Sequence, residues 1–212
     1  MFALWGIFVT SFIVGLSGAL MPGPVLTVTI SQSAARGWIV GPLVVLGHGI
    51  LELSLVIAIV YGLGEVLTKG SVIGAVGIIG GTVLLWMGWS MLRDARRVSL
   101  ILEGDKGMAS LHPVWAGILS SISNPYWIVW WATIGLSYIA FSMKYGTLGV
   151  SFFYTGHILS DLVWYVFVSS LVHFGKRWAN DRAYQTVIAI CGIMLLGFGV
   201  YFGYSGVKNF WN

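Results

Sequence analysis

The chain has 212 residues, of which eleven are Lys or Arg and seven Asp or Glu, so charged side chains make up 8% where a soluble domain carries about a quarter. Hydrophobic residues account for 58% and mean hydropathy is +0.90, and a chain this size cannot put enough polar surface between that much apolar side chain and water. These figures exclude a soluble enzyme domain and a disordered chain; the net charge of +4 comes from dispersed residues, which excludes a nucleic-acid binder.

The expected class is an all-α membrane protein. Ionisable groups are costly in hydrocarbon, so the intervals between them mark spans of about 20 residues. Residues 1–35 carry none, 37–64 only Glu52, 70–92 none, 107–143 none, 145–175 only Asp161 and 183–207 none, which gives six spans. The first has no basic leader and its apolar run continues past Pro24, so it reads as a retained span and not a signal peptide. The first and fourth intervals are too long for one straight helix, which would exceed ~50 Å at about 1.5 Å per residue. Each contains a breaker, Met21-Pro22-Gly23-Pro24 in the first and Ser123-Asn124-Pro125 in the fourth. Proline removes a backbone donor and clashes with the preceding turn, so helices 1 and 4 are expected to be discontinuous at Pro-Gly-Pro and Asn-Pro.

Helix 2 reads Gly47-His48-Gly49-Ile50-Leu51-Glu52-Leu53 and helix 5 reads Gly156-His157-Ile158-Leu159-Ser160-Asp161-Leu162. Gly-His-x-x-x-acid-Leu at the same depth of two spans, in a chain with four histidines and seven acids, marks an internal repeat. A proline-broken span precedes each copy, and a glycine-spaced span follows it, with Gly77 and Gly81 in one and Gly199 and Gly203 in the other. Those glycines permit close helix approach, within one protomer or between the two copies of a homodimer; packing within the protomer is the simpler reading. Three spans per repeat is an odd number, so the second copy enters the membrane inverted, as in secondary transporters. The whole chain, 1–212, then forms one transmembrane domain: repeat 1 over 1–92, a polar connector over 93–112 and repeat 2 over 113–207. Arg36, Arg93, Arg96, Arg97, Lys106, Lys176, Arg177 and Arg182 fall on one side of this plan, and Lys69, Lys144 and Lys208 on the other. The positive-inside tendency puts the first set in the cytoplasm and both termini outside.

Pro22-Gly23-Pro24, the later Asn124-Pro125 with its aromatic-rich span, the six-helix length and an acid in helix 2 together resemble the lysine exporter (LysE-type, including the homoserine/threonine exporter branch) family of amino-acid exporters. The resemblance covers essentially the whole chain and implies an inner-membrane, multi-pass exporter and not an enzyme. The paired Gly-His-x-x-x-acid motif is not part of the family pattern that carries the resemblance.

Glu52 and Asp161 are the acids inside the spans, and a carboxylate at that depth reads as a proton carrier or a ligand for a cationic group. His48 and His157 lie one turn before them on the same face, so each pair can share a proton. Together the two pairs also offer two nitrogens and two carboxylates, a donor set for a divalent cation. The blander alternatives are an acid or histidine hydrogen-bonded to a neighbouring helix for packing alone. Half-helix starts at Pro22, Gly23 and Pro24 and at Asn124 and Pro125 suit a substrate carboxylate through their free N–H groups and positive dipole ends. Trp127, within Tyr126-Trp127-Ile128-Val129-Trp130-Trp131, could stack over an ammonium group. Trp86, Trp89, Trp178 and Trp211 read as anchors at the membrane boundary, and His112 and His173 as interfacial.

The leading expectation is a proton-coupled, alternating-access exporter of amino acids or related small zwitterions. Its partners are the substrate, protons and membrane lipid. No cofactor is expected: there is one cysteine, Cys191, too few for a disulfide or thiolate centre, and no nucleotide-binding loop. The rival expectations are a divalent-metal exporter using His48, Glu52, His157 and Asp161 as ligands, and a membrane protein with no transport role.

Overall fold

A computed structural model describes residues 1–21, 23–63, 69–95, 110–175 and 181–211, and among these every regular element is helical. In chain order they are α1 (Phe2–Ala19), α2 (Pro24–Arg36), α3 (Val40–Ala58), α4 (Gly70–Asp94), α5 (Pro113–Ile122), α6 (Pro125–Trp130), α7 (Leu136–Ser142), α8 (Gly146–Gly175) and α9 (Asp181–Trp211). Pro22, most of the expected connector and, within the basic loops, Arg96, Arg97, Lys106, Lys176, Arg177 and Trp178 lie outside the described residues, as does the Trp211 side chain.

Among the described residues four stretches are long and apolar enough to cross a membrane: Phe2–Ala19, Val40–Gly62, Gly70–Arg93 and Tyr126–Gly175. The last is not one rod. A tight 3-10 turn at Met143–Tyr145 leads into Gly146, whose φ of +65° lies in the left-handed region that a side chain would oppose, and α7 folds back on α8 there. Proline sits at the first position of α2, α5 and α6, where its missing N–H has no intrahelical acceptor and its fixed φ suits the helix. Gly37, at φ +91°, terminates α2. Arg36, in the last turn of α2, donates to the carbonyls of Leu111 (2.6 Å) and Ser110 (3.1 Å), tying that end to the start of α5.

Burial is inverted relative to a soluble protein. Trp5, Ile13, Ile79, Trp86, Trp89, Phe167, Ile193 and Val200 are exposed, whereas Ser11, Thr29, Gln32, Ser33, Ser120, Ser121, Ser160 and Ser169 are buried. Lipid offers no hydrogen bonds, so hydroxyls turn inward and return their protons to helix carbonyls: Thr29 to Val25 (2.8 Å), Ser121 to Gly117 (2.7 Å) and Ser160 to His157 (2.6 Å).

Association between the helices comes from close approach. A Cβ on Gly47 of α3 would overlap the Val114 carbonyl of α5, and one on Gly117 of α5 would overlap the Val44 carbonyl of α3. Gly156 of α8 is pressed in the same way onto Ser11 and the Phe8 carbonyl of α1. Gly81 of α4 meets Gly199 and Gly203 of α9, and Gly77 meets Gly206, so this glycine seam lies within the chain. Backbone contact of this kind maximises van der Waals attraction where hydrophobic burial contributes nothing.

α3 and α8 pack antiparallel: Gly41 meets Tyr165 and Ser169, while Gly49 meets Tyr154 and Ile158. Each runs through two apolar clusters. Val40, Val44 and Val45 share one with Tyr165 and Val168, and Val56 and Ile59 share the other with Phe153. His48, Glu52, His157 and Asp161 fall between the two layers.

Gly47→Ala and Gly156→Ala are expected to force these crossings apart and lower stability by about 1–3 kcal/mol, the usual cost of overpacking. Gly197→Ala, with open space around it, should cost nothing. Thermal unfolding in detergent measures the difference, and equal midpoints for all three would show that the crossings are not tight.

Candidate functional site

α3 presents His48 and Glu52 one turn apart, and α8 presents His157 and Asp161 in the same way. Tyr154 of α8 donates its hydroxyl to the Gly49 carbonyl at 2.8 Å, which fixes the register of the two helices. The four side chains then converge. Glu52 Oε1 is 3.0 Å from His48 Nε2, Glu52 Oε2 is 3.0 Å from His157 Nε2, and Asp161 Oδ2 is 3.7 Å from both imidazoles. None of the four residues exposes more than 7% of its surface. A carboxylate and an imidazole are tolerated at this depth only when they are paired or hydrogen-bonded.

Glu52 is the hub. Its Oε1 accepts from the indole N–H of Trp127 (2.9 Å) and of Trp131 (2.8 Å), both on the helical run that starts at Pro125. One carboxylate thus joins α3, α8 and the α6 segment. His48 Nδ1 lies 2.7 Å from Ser121 Oγ, and that hydroxyl directs its one proton to the Gly117 carbonyl at 2.7 Å. Ser121 therefore accepts from His48, which places the Nδ1 proton and leaves Nε2 to face Glu52. His157 is held by stacking: Trp130 lies 4.6 Å away at 24°, Phe153 6.1 Å away at 15°, and Trp131 meets its edge.

The two proline-marked segments meet beside this cluster. Asn124 Oδ1 accepts from Tyr126 N at 3.1 Å and caps α6, while a Cβ on Gly23 would lie 3.2 Å from Asn124 Nδ2. Among the described residues no side chain caps α2. A cavity of about 40 Å³ is lined by Gly23, Asn124, Trp127 and Trp130 together with His48, Glu52, His157 and Asp161. On that measure a water needs roughly 10–15 Å³, so the space suits a few waters or an ion. Met21, Tyr126 and Trp130 separate it from a crevice of about 450 Å³ between α4, α6 and α9.

Of the residues singled out in the sequence, Gly23, Asn124, Trp127, Glu52, Asp161, His48 and His157 thus line one space. Pro24 starts α2 and Pro125 starts α6. His112 caps α5 from an exposed position, far from the cluster in role, and Trp86 and Trp89 face outward. The sequence pointed to Trp130 and Trp131 only as members of the aromatic run, and did not single out Ser121. The available signal was the i, i+4 spacing of Trp127 and Trp131, which puts two indoles on one helix face, whereas Ser121 bears no local mark.

A model of the LysE type translocator family matches residues 16–206. Among curated proteins, the chain is 27% identical over 209 residues to YcgF of Bacillus subtilis, named provisionally as an amino acid efflux protein, covering 96% of this chain and 98% of that one. It is 28% identical over 192 residues to the chemotactic transduction protein ChpE of Pseudomonas aeruginosa, covering 90% and 94%. An uncharacterized membrane protein of Escherichia coli, YahN, is 23% identical over 207 residues, covering 96% and 89%. No solved structure matches.

Trp131→Phe removes a buried donor from Glu52 while keeping an aromatic ring, and is expected to cost about 1–3 kcal/mol of stability. Trp89→Phe, at an exposed position, should be neutral. A double-mutant cycle with Glu52→Gln, read by thermal unfolding, should show coupling between 52 and 131; additive losses would mean that the contact carries no energy.

Proposed function

The chain belongs to the LysE type translocator family, and on that premise we propose that it is a secondary-active exporter of amino acids or related small zwitterions across the cytoplasmic membrane, coupled to protons. The observation that carries this reading is the shared cavity: both proline-marked helix starts and the buried side chains of His48, Glu52, His157 and Asp161 line one space. A zwitterion needs donors for its carboxylate and acceptors for its ammonium group. The uncapped start of α2 and the Asn124 amide supply the first. Glu52 and Asp161, with their histidines, supply the second, or carry the proton that moves the other way. The family and the efflux role in the name of the Bacillus relative support export as the direction.

In this reading the six spans form two inverted repeats, 1–92 and 113–207, joined by the 93–112 connector. The antiparallel packing of α3 on α8 supports it, as does the matching of α1 against α8 with α5 against α3. The cavity is too small for an amino acid as it stands, so the substrate enters and leaves only when the broken spans tilt against α3 and α8. That is alternating access about a fixed site. The excess of Lys and Arg in alternate loops supports a topology with both termini outside.

Proteoliposomes loaded with labelled amino acids test the proposal, with acid outside and efflux as the readout. Wild-type protein should release at least one amino acid faster when the proton gradient is imposed. Glu52→Gln and Asp161→Asn should each slow release tenfold or more. Wild-type rates in both variants would sink the roles given to these acids, flux indifferent to the gradient would remove proton coupling, and no flux of any amino acid would remove the substrate class.

A further inference from the structure

We propose that His48, Glu52, His157 and Asp161 also form a four-ligand binding site for a divalent transition-metal ion that favours tetrahedral coordination, such as Zn²⁺ or Co²⁺. One ligand atom from each residue lies within 4.8 Å of the other three. Ligand bonds of about 2.0–2.2 Å place tetrahedral donors ~3.4 Å apart. With Glu52 Oε2 as its ligand atom, since Oε1 takes the two indoles, His157 Nε2 is 3.0 Å from it and each imidazole is 3.7 Å from Asp161 Oδ2, while no pair in the set exceeds 4.8 Å, so the set closes on an ion with side-chain adjustments. Two imidazoles with two carboxylates suit such metals; Ca²⁺ and Mg²⁺ instead take six or more oxygens.

A second observation points to a ligand in the same place. His157 Nε2, Glu52 Oε2 and Asp161 Oδ2 are buried, yet none of them makes a hydrogen bond among the described residues. His157 Nε2 and Glu52 Oε2 are 3.0 Å apart, but their alignment does not satisfy an N–H···O bond, and distance alone does not make one. A cation accepts lone pairs from all three at once. Surrounding groups orient two of the four ligands by hydrogen bonds: Ser121 takes the His48 Nδ1 proton and leaves Nε2 as the free lone pair, and Trp127 and Trp131 fix the Glu52 carboxylate, while the His157 ring is held by stacking on Trp130 and Phe153. With neutral imidazoles, two carboxylates carry two negative charges, which one divalent ion balances in a low-dielectric interior.

This inference does not rest on the exporter reading, and its test involves no flux. Tag-free protein in detergent, stripped with EDTA, is titrated with Co²⁺ and read by visible absorption. Expected are the intense d–d bands of four-coordinate Co²⁺, saturating at one ion per chain, bleached by Zn²⁺ and unaffected by Mg²⁺ or Ca²⁺. His157→Ala and Asp161→Asn should abolish the bands, and Ser121→Ala should weaken affinity by about 10–100-fold. His112→Ala, at an exposed position, should keep them. Weak six-coordinate bands in the wild type, or intense ones that persist in His157→Ala, would overturn the site. The wild-type titration decides alone if a variant does not fold.

Discussion

A carboxylate buried in so apolar a chain cannot draw its donors from water, so they must come from other helices. Glu52 takes two from the indoles of the segment after Pro125, and one imidazole on its own helix and one on α8 each lie 3.0 Å from its oxygens. Few other groupings could hold that charge at 1% exposure. The rest of the architecture follows from satisfying it. α3 and α8 must cross antiparallel with their histidine-acid faces opposed, and the aromatic segment must lie against both.

Such an arrangement demands close crossings, because donor distances of 3 Å leave no room for side chains between the helices. Glycine occupies the contact at Gly47, Gly49 and Gly156, immediately beside the histidines. The Gly-His pair of each motif copy is thus one physical unit, in which the glycine lets the backbone approach and the histidine reaches the space this opens. Between the two motif copies the surroundings differ. His48 has the Ser121 hydroxyl, whereas His157 faces Gly15, where a Cβ would lie 2.8 Å from its Nδ1. One imidazole is held by a hydrogen bond and the other by stacking on Trp130, so two sites built from one motif have unequal freedom to turn.

The proline-marked segments add a second kind of polarity. Asn124 uses its oxygen to cap its own helix and presents its amide toward Gly23, and α2 begins without a side-chain cap. Both features border the carboxylate-histidine cluster. The donors and acceptors that the proposed zwitterion would need thus border one small space.

The sequence by itself determined the class, the number of apolar intervals, the prolines at which α2 and α6 begin and the pairing of each histidine with an acid one turn on. Each is written in local terms: charge spacing, proline and glycine positions, and an i, i+4 motif used twice. Only the tertiary structure decided that both motif copies share one cluster, that Glu52 and not Asp161 is its hub, and that Trp131 and Ser121 hold it. Those facts depend on which helix faces meet, and a tryptophan or serine in an apolar span looks the same in sequence whether it faces lipid or a buried carboxylate.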